Sequence, residues 1–95
     1  MTEVPVVALI KAKAGKAKDL ETLLKSFLAP THQEAGCISY TLHRSADDPE
    51  LFVFVEKWAS ADAFKKHLSS EHITAAFVSK EGLIADLRII PLADV

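Results

Sequence analysis

The stretch Leu51–Trp58, LFVFVEKW, constrains the fold more than any other part of this 95-residue chain. Aromatic and β-branched residues suit a pleated strand. Strand alternation puts Phe52, Phe54, Glu56 and Trp58 on one face and Val53 and Val55 on the other. Both faces are then apolar, although helices packed on a sheet cover only one of them. The uncovered face has to be hidden. The simplest cover is a second copy of the chain, sheet against sheet, in an obligate homodimer.

The segments around this strand fall into a simple order. Val4–Ala12 is a nearly unbroken apolar run ended by Gly15, which reads as the first strand. Leu20, Leu23, Leu24, Phe27 and Leu28 then recur at three- and four-residue spacing, so a helix is expected from about Lys16. Pro30 is expected to kink or end it, and Gly36 to stop it. Gly36–Ser45 alternates, and Ala46-Asp47-Asp48-Pro49-Glu50 is a turn, which makes a hairpin with Leu51–Trp58. A turn centred on Asp48 places Tyr40 opposite Glu56, Leu42 opposite Phe54 and Ile38 opposite Trp58.

Ser60 is placed as a helix N-cap, with Ala63, Phe64, His67 and Leu68 on one helical face. Glu71–Lys80 continues a helical pattern through Ile73, Ala76 and Phe77, closed by Gly82. A last strand is expected over about Asp86–Leu92, bearing Leu87, Ile89 and Ile90 and weakened by Pro91. The order β-α-β-β-α-(α)-β gives an α+β fold of the ferredoxin-like type, a four-stranded antiparallel sheet with helices on one face. Residues 1–95 are read as a single domain.

Charge and composition exclude several classes. With 11 basic and 13 acidic residues the net charge is −2, and the densest basic stretch, Lys11 to Lys18, carries no interleaved aromatics, so no nucleic-acid partner is expected. Apolar runs fall short of the ~20 residues a membrane span needs. The N-terminus has no secretory pattern, and the expected location is the cytoplasm. The single cysteine, Cys37, forms no disulfide within the chain and reads as a buried, inert thiol. No GxGxxG or phosphate-binding loop is present, so no nucleotide cofactor is expected.

The residues able to carry chemistry are Glu56 and His67 as acid and base. Trp58, Phe64, His72, Tyr40 and Phe54 are the candidate lining of a pocket. On the strand, Glu56 and Trp58 share a face, and the following helix directs Phe64 and His67 toward it. A carboxylate held against an imidazole fixes its tautomer and raises its basicity, as abstraction of a phenolic proton near neutral pH requires. Each residue also has a packing reading: Glu56 as an ion-pair anchor, Trp58 as a core aromatic, His67 as a satisfied core histidine, His72 as a cap or dimer contact. His67 and His72 are five apart, off the i,i+4 spacing that aligns two ligands on one helix, so no metal site is expected.

The runs Glu34-Ala35-Gly36-Cys37-Ile38-Ser39-Tyr40, Glu56-Lys57-Trp58 and Ala63-Phe64-Lys65-Lys66-His67 carry a family pattern, E-x-G-C-x-x-Y, E-x-W and A-x-x-x-H. The sequence resembles the antibiotic biosynthesis monooxygenase domain over nearly its whole length. The resemblance implies a dimeric α+β barrel with one pocket per subunit, Trp58 and His67 in its wall and Glu56 as the strand acid. It implies one of three activities: cofactor-independent oxidation of phenols or quinols, haem degradation, or isomerisation of small phosphorylated molecules. The haem-degrading branch carries an asparagine where this chain has Ala8, and the polyketide-oxidising branch a tyrosine where it has Phe64. What the resemblance then leaves is a cofactor-independent monooxygenase for a small aromatic or quinol-like ligand. An isomerase of a small hydroxy-ketone and a non-catalytic binding protein are the alternatives.

Overall fold

The computed structural model describes residues 2–79 and 82–95. Four strands, β1 (Val4–Ala12), β2 (Cys37–Arg44), β3 (Leu51–Trp58) and β4 (Ile84–Pro91), and four helices, α1 (Ala17–Lys25), α2 (Leu28–His32), α3 (Ala61–Leu68) and α4 (Glu71–Ser79), follow in the order β1-α1-α2-β2-β3-α3-α4-β4. The strands form one sheet in the order β2-β3-β1-β4, every neighbouring pair antiparallel. This is the ferredoxin-like α+β arrangement that the order of elements predicts. Lys80, assigned by periodicity to the last helix, lies outside the described residues, as does the side chain of Phe77.

Burial follows the pleat. Val6, Ala8, Ile10 and Ala12 on β1 and Phe52, Phe54, Glu56 and Trp58 on β3 are buried together, and the helices add Leu20, Leu24, Phe27, Phe64 and Ile73. The alternate residues Val7, Leu9, Val53 and Ile90 are only half-buried, and Val55 is 46% exposed. The sheet therefore has one helix-covered apolar face and a second apolar face without such cover.

Three local departures from the sequence expectation have physical causes. Tyr40 pairs with Glu56 and Leu42 with Phe54 as expected, but Trp58 faces Cys37, because the register shifts between Cys37 and Ser39. Ile38 is the extra residue of this bulge and is 49% exposed; two residues there oppose one on the partner strand. The first helix breaks at Ser26–Phe27, ahead of Pro30. The break leaves Pro30 in the first turn of α2, where a missing N–H removes no helical bond. Finally, β4 starts at Ile84, two residues before the expected Asp86, and runs to Pro91, which an edge strand tolerates.

The second half of the helical layer is also broken. Ser60 caps α3 by accepting the Ala63 N–H at 3.1 Å. After Leu68 the chain turns, with the Ser70 hydroxyl donating to the His67 carbonyl at 2.6 Å, and restarts as α4 at Glu71. Among the described residues no helix is long and apolar enough to cross a membrane.

Candidate functional site

A cavity open at its mouth lies between the sheet and the helices. Its wall is mostly apolar, with Ala8 and Ile10 from β1, Leu24 from α1, Phe27 from the break before α2, and Ile73 from α4. The polar groups in it are those of Tyr40, Glu56 and His67. No lysine or arginine is among its described lining residues.

Strand pairing delivers two of these groups. Tyr40 and Glu56 are direct partners across β2 and β3, and the Tyr40 ring stacks on Phe54 with centroids 4.7 Å apart. Two residues along β3 on the same face, the Trp58 indole N–H donates to Glu56 Oε1 at 2.9 Å. Burial pushes the Glu56 carboxyl up to about 7, the indole hydrogen bond pulls against that shift, and the charge of Glu34 adds to it. Glu56 is thus a carboxyl that changes charge near neutrality. Burial, followed by the charge of Glu56, holds the Tyr40 phenol well above its ordinary value, with a hydrogen bond to Thr31 opposing.

His67 reaches the cavity from the inward face of α3. The carboxylate that holds it is Glu34, in the loop before β2, and not Glu56: His67 Nδ1 donates to Glu34 Oε2 at 2.8 Å. That bond leaves Nε2 as the ring nitrogen able to accept a proton. The imidazole packs 4.6 Å from the Trp58 ring and 5.4 Å from the Tyr40 ring. His72 comes to the same carboxylate, its Nε2 lying 3.2 Å from Glu34 Oε2 and 2.9 Å from the hydroxyl of the fully buried Thr31.

Of the residues singled out in the sequence, Tyr40, Phe54, Glu56 and His67 stand in the cavity wall. Trp58 and Phe64 do not. They are packed behind His67, with Trp58 fully buried, so they shape the wall from behind. His72 lies beside the wall, within the Glu34 cluster. Cys37 is half-buried, and burial together with Glu34 and Glu56 pushes its thiol up, away from a reactive thiolate.

Two members of the cluster, Glu34 and Thr31, were not visible to spacing arguments. Glu34 had a signal, since it heads the E-x-G-C motif. Thr31 had none, because a single threonine at a helix end is ordinary.

The antibiotic biosynthesis monooxygenase family profile matches residues 4–78. The chain belongs to that family. The Mycobacterium tuberculosis protein Rv0793, whose provisional name is that of a monooxygenase, is 32% identical over 90 residues, covering 95% of this chain and 84% of the relative. The structure of PA3566 from Pseudomonas aeruginosa superposes with a TM-score of 0.94 at 33% identity, over 100% of this chain and 96% of that one. An uncharacterised Synechocystis protein, sll1783, is 26% identical over 92 residues, and the chain, matched over 94% of its own length, spans 63% of that relative.

Proposed function

We propose that the chain is a monooxygenase that oxidises a small planar phenol or quinol with dioxygen in this cavity. The observation that carries the reading is an apolar cavity whose polar wall groups include the imidazole of His67 and the carboxyl of Glu56, which burial pushes up to about 7. The ring of the substrate lies against Tyr40, Phe54 and Phe27, and its hydroxyl points to His67 Nε2. His67, oriented by Glu34, takes the phenolic proton, and the phenolate passes an electron to dioxygen. One oxygen atom ends as a new quinone carbonyl and the other as water. The substrate supplies the electrons, so the balance asks for no external reductant. Glu56 accepts or returns the second proton.

The isomerase alternative on a phosphorylated hydroxy-ketone asks for a cation at the cavity. Arg44 is instead paired with Glu21 at 2.9 Å, and Arg88 pairs with Leu9 on the other face of the sheet. The same reading places two copies together through Val7, Leu9, Val53, Val55 and Ile90, an apolar surface that a second sheet would bury.

Oxygen uptake with a panel of dihydroxyarenes tests the function. Wild type consumes oxygen with at least one member, and His67→Gln loses most of that rate, on the order of 100-fold or more for a proton-transfer group. Equal rates for wild type and His67→Gln refute the mechanism.

A further inference from the structure

Spacing along a helix argues against His67 and His72 as joint ligands, but the helix is interrupted between them. α3 ends at Leu68 and α4 begins at Glu71, and this turn brings both imidazoles to one oxygen atom of Glu34. His67 Nδ1, His72 Nε2 and the Glu34 carboxylate oxygen all lie within 4.8 Å of one another. We propose that Glu34, His67 and His72 form a binding site for a divalent transition-metal ion.

The geometry is close to what such an ion needs. Four-coordinate zinc with bonds of about 2.0–2.1 Å places its ligand atoms roughly 3.3 Å apart. The two separations to Glu34 Oε2 are 2.8 and 3.2 Å. The separation between the two imidazole nitrogens is what has to adjust, and His72, half-buried in the first turn of α4, is the ligand placed to do so. The donors come from three separate segments, the loop before β2, the end of α3 and the start of α4.

Donor chemistry sets the class of ion. Two neutral imidazoles and one carboxylate suit Zn²⁺, Co²⁺, Ni²⁺ or Fe²⁺, whereas Mg²⁺ and Ca²⁺ prefer all-oxygen sets. Three protein donors leave a coordination position open for water, as in exchangeable rather than purely structural sites. The Thr31 hydroxyl lies 2.9 Å from His72 Nε2, the nitrogen the ion takes, so it gives up that hydrogen bond on binding and borders the open position.

The metal also changes what His67 offers to the cavity. Metal on Nδ1 displaces the proton that this nitrogen shares with Glu34, and the neutral ring carries its proton on Nε2. His67 then donates into the cavity instead of accepting. This consequence rests on the phenol-oxidation reading; the site itself does not.

Co²⁺ is titrated into the chelator-treated full chain, followed by its visible d–d absorption and by calorimetry, with Zn²⁺ competing. The expected result is one ion per chain. Glu34→Gln and His72→Gln each weaken binding by more than the roughly 10- to 100-fold that loss of an outer-shell partner costs, and Thr31→Val, which removes only the hydrogen bond competing for His72 Nε2, does not weaken it. His43→Gln, on an exposed histidine of β2, leaves the affinity unchanged. Far-UV circular dichroism confirms folding, and should Glu34→Gln unfold, His72→Gln decides. Absence of one-to-one uptake, or wild-type affinity in His72→Gln, overturns the site. The spectral titration needs no turnover, so it fails or succeeds independently of the oxygen-uptake assay.

Discussion

Gly36→Ala is the sharpest structural perturbation available near the site. Gly36 has φ +87°, and a Cβ built there lies 2.5 Å from the Cβ of Ala63 on α3. Two costs add. A non-glycine residue in this left-handed region costs about 1–2 kcal/mol. Relief of the overlap needs the methyls to separate toward the ordinary ~3.5–4.0 Å contact distance, and overpacking of this kind costs about 1–3 kcal/mol.

Neither side yields easily, because the Gly36 carbonyl accepts the Ala59 N–H at 2.8 Å and Ser60 holds the Ala63 N–H at 3.1 Å. The sum, about 2–5 kcal/mol, lowers the melting temperature by roughly 10–40 °C for a domain of this size. Gly15 and Gly82 supply the control: both have positive φ, but nothing lies within 4 Å of an added Cβ. Gly15→Ala and Gly82→Ala therefore show the conformational cost alone, and the gain from a stiffer unfolded chain is common to all three variants. Urea denaturation at one pH measures the set, and Ala63→Gly in the Gly36→Ala background restores the steric part. Should Gly36→Ala be no worse than Gly15→Ala, or show no coupling to Ala63→Gly, the close approach of β2 and α3 is wrong. His67 lies one turn beyond Ala63 on α3, so its alignment with Glu34 depends on the same contact.

Glu56 makes stability depend on pH. Its folded value of about 7 stands above the ordinary 4.5, so its stabilising effect is fully present below pH 4.5 and is lost as pH rises through 7. The difference between the two values corresponds to about 3 kcal/mol. Urea melts of wild type and Glu56→Gln should converge or cross by that order of magnitude between pH 4 and pH 8, and parallel profiles exclude the shift; Glu34, His67 and Tyr40, the titratable neighbours, are common to both proteins. At the uncovered sheet face, Val55→Lys places a charge on a residue that is 46% exposed. Light scattering should then report a dimer for wild type and a monomer for the variant with circular dichroism unchanged, while a monomeric wild type removes the case for pairing.

The sheet was legible in the sequence because strand signals are local. Alternation in Leu51–Trp58 and a turn around Asp48 were enough to pair Tyr40 with Glu56, since each residue along a hairpin inherits its partner from the turn. The bulge at Ile38 was not legible, as one extra residue on a strand leaves the apolar pattern nearly unchanged. The carboxylate that holds His67 was hidden for a different reason. Glu34 and His67 are 33 positions apart, and neither helical nor strand period links a loop to a helix face. The convergence of His67 and His72 was obscured because their five-residue spacing was measured against the i,i+4 period of one continuous helix, whereas Ser69 and Ser70 interrupt it through bonds to carbonyls of the preceding turn.

Trp58 is the only tryptophan in the sequence, it is fully buried, and its indole touches both Glu56 and His67. The intrinsic fluorescence of the chain is therefore emitted from one corner of the molecule, with a titrating carboxyl at the indole N–H and an imidazole against the ring. Ionisation of Glu56, entry of an absorbing phenol and arrival of a paramagnetic ion at His67 each change that emission by a different route: a spectral shift, energy transfer and quenching. The protein reports on its own site without a label.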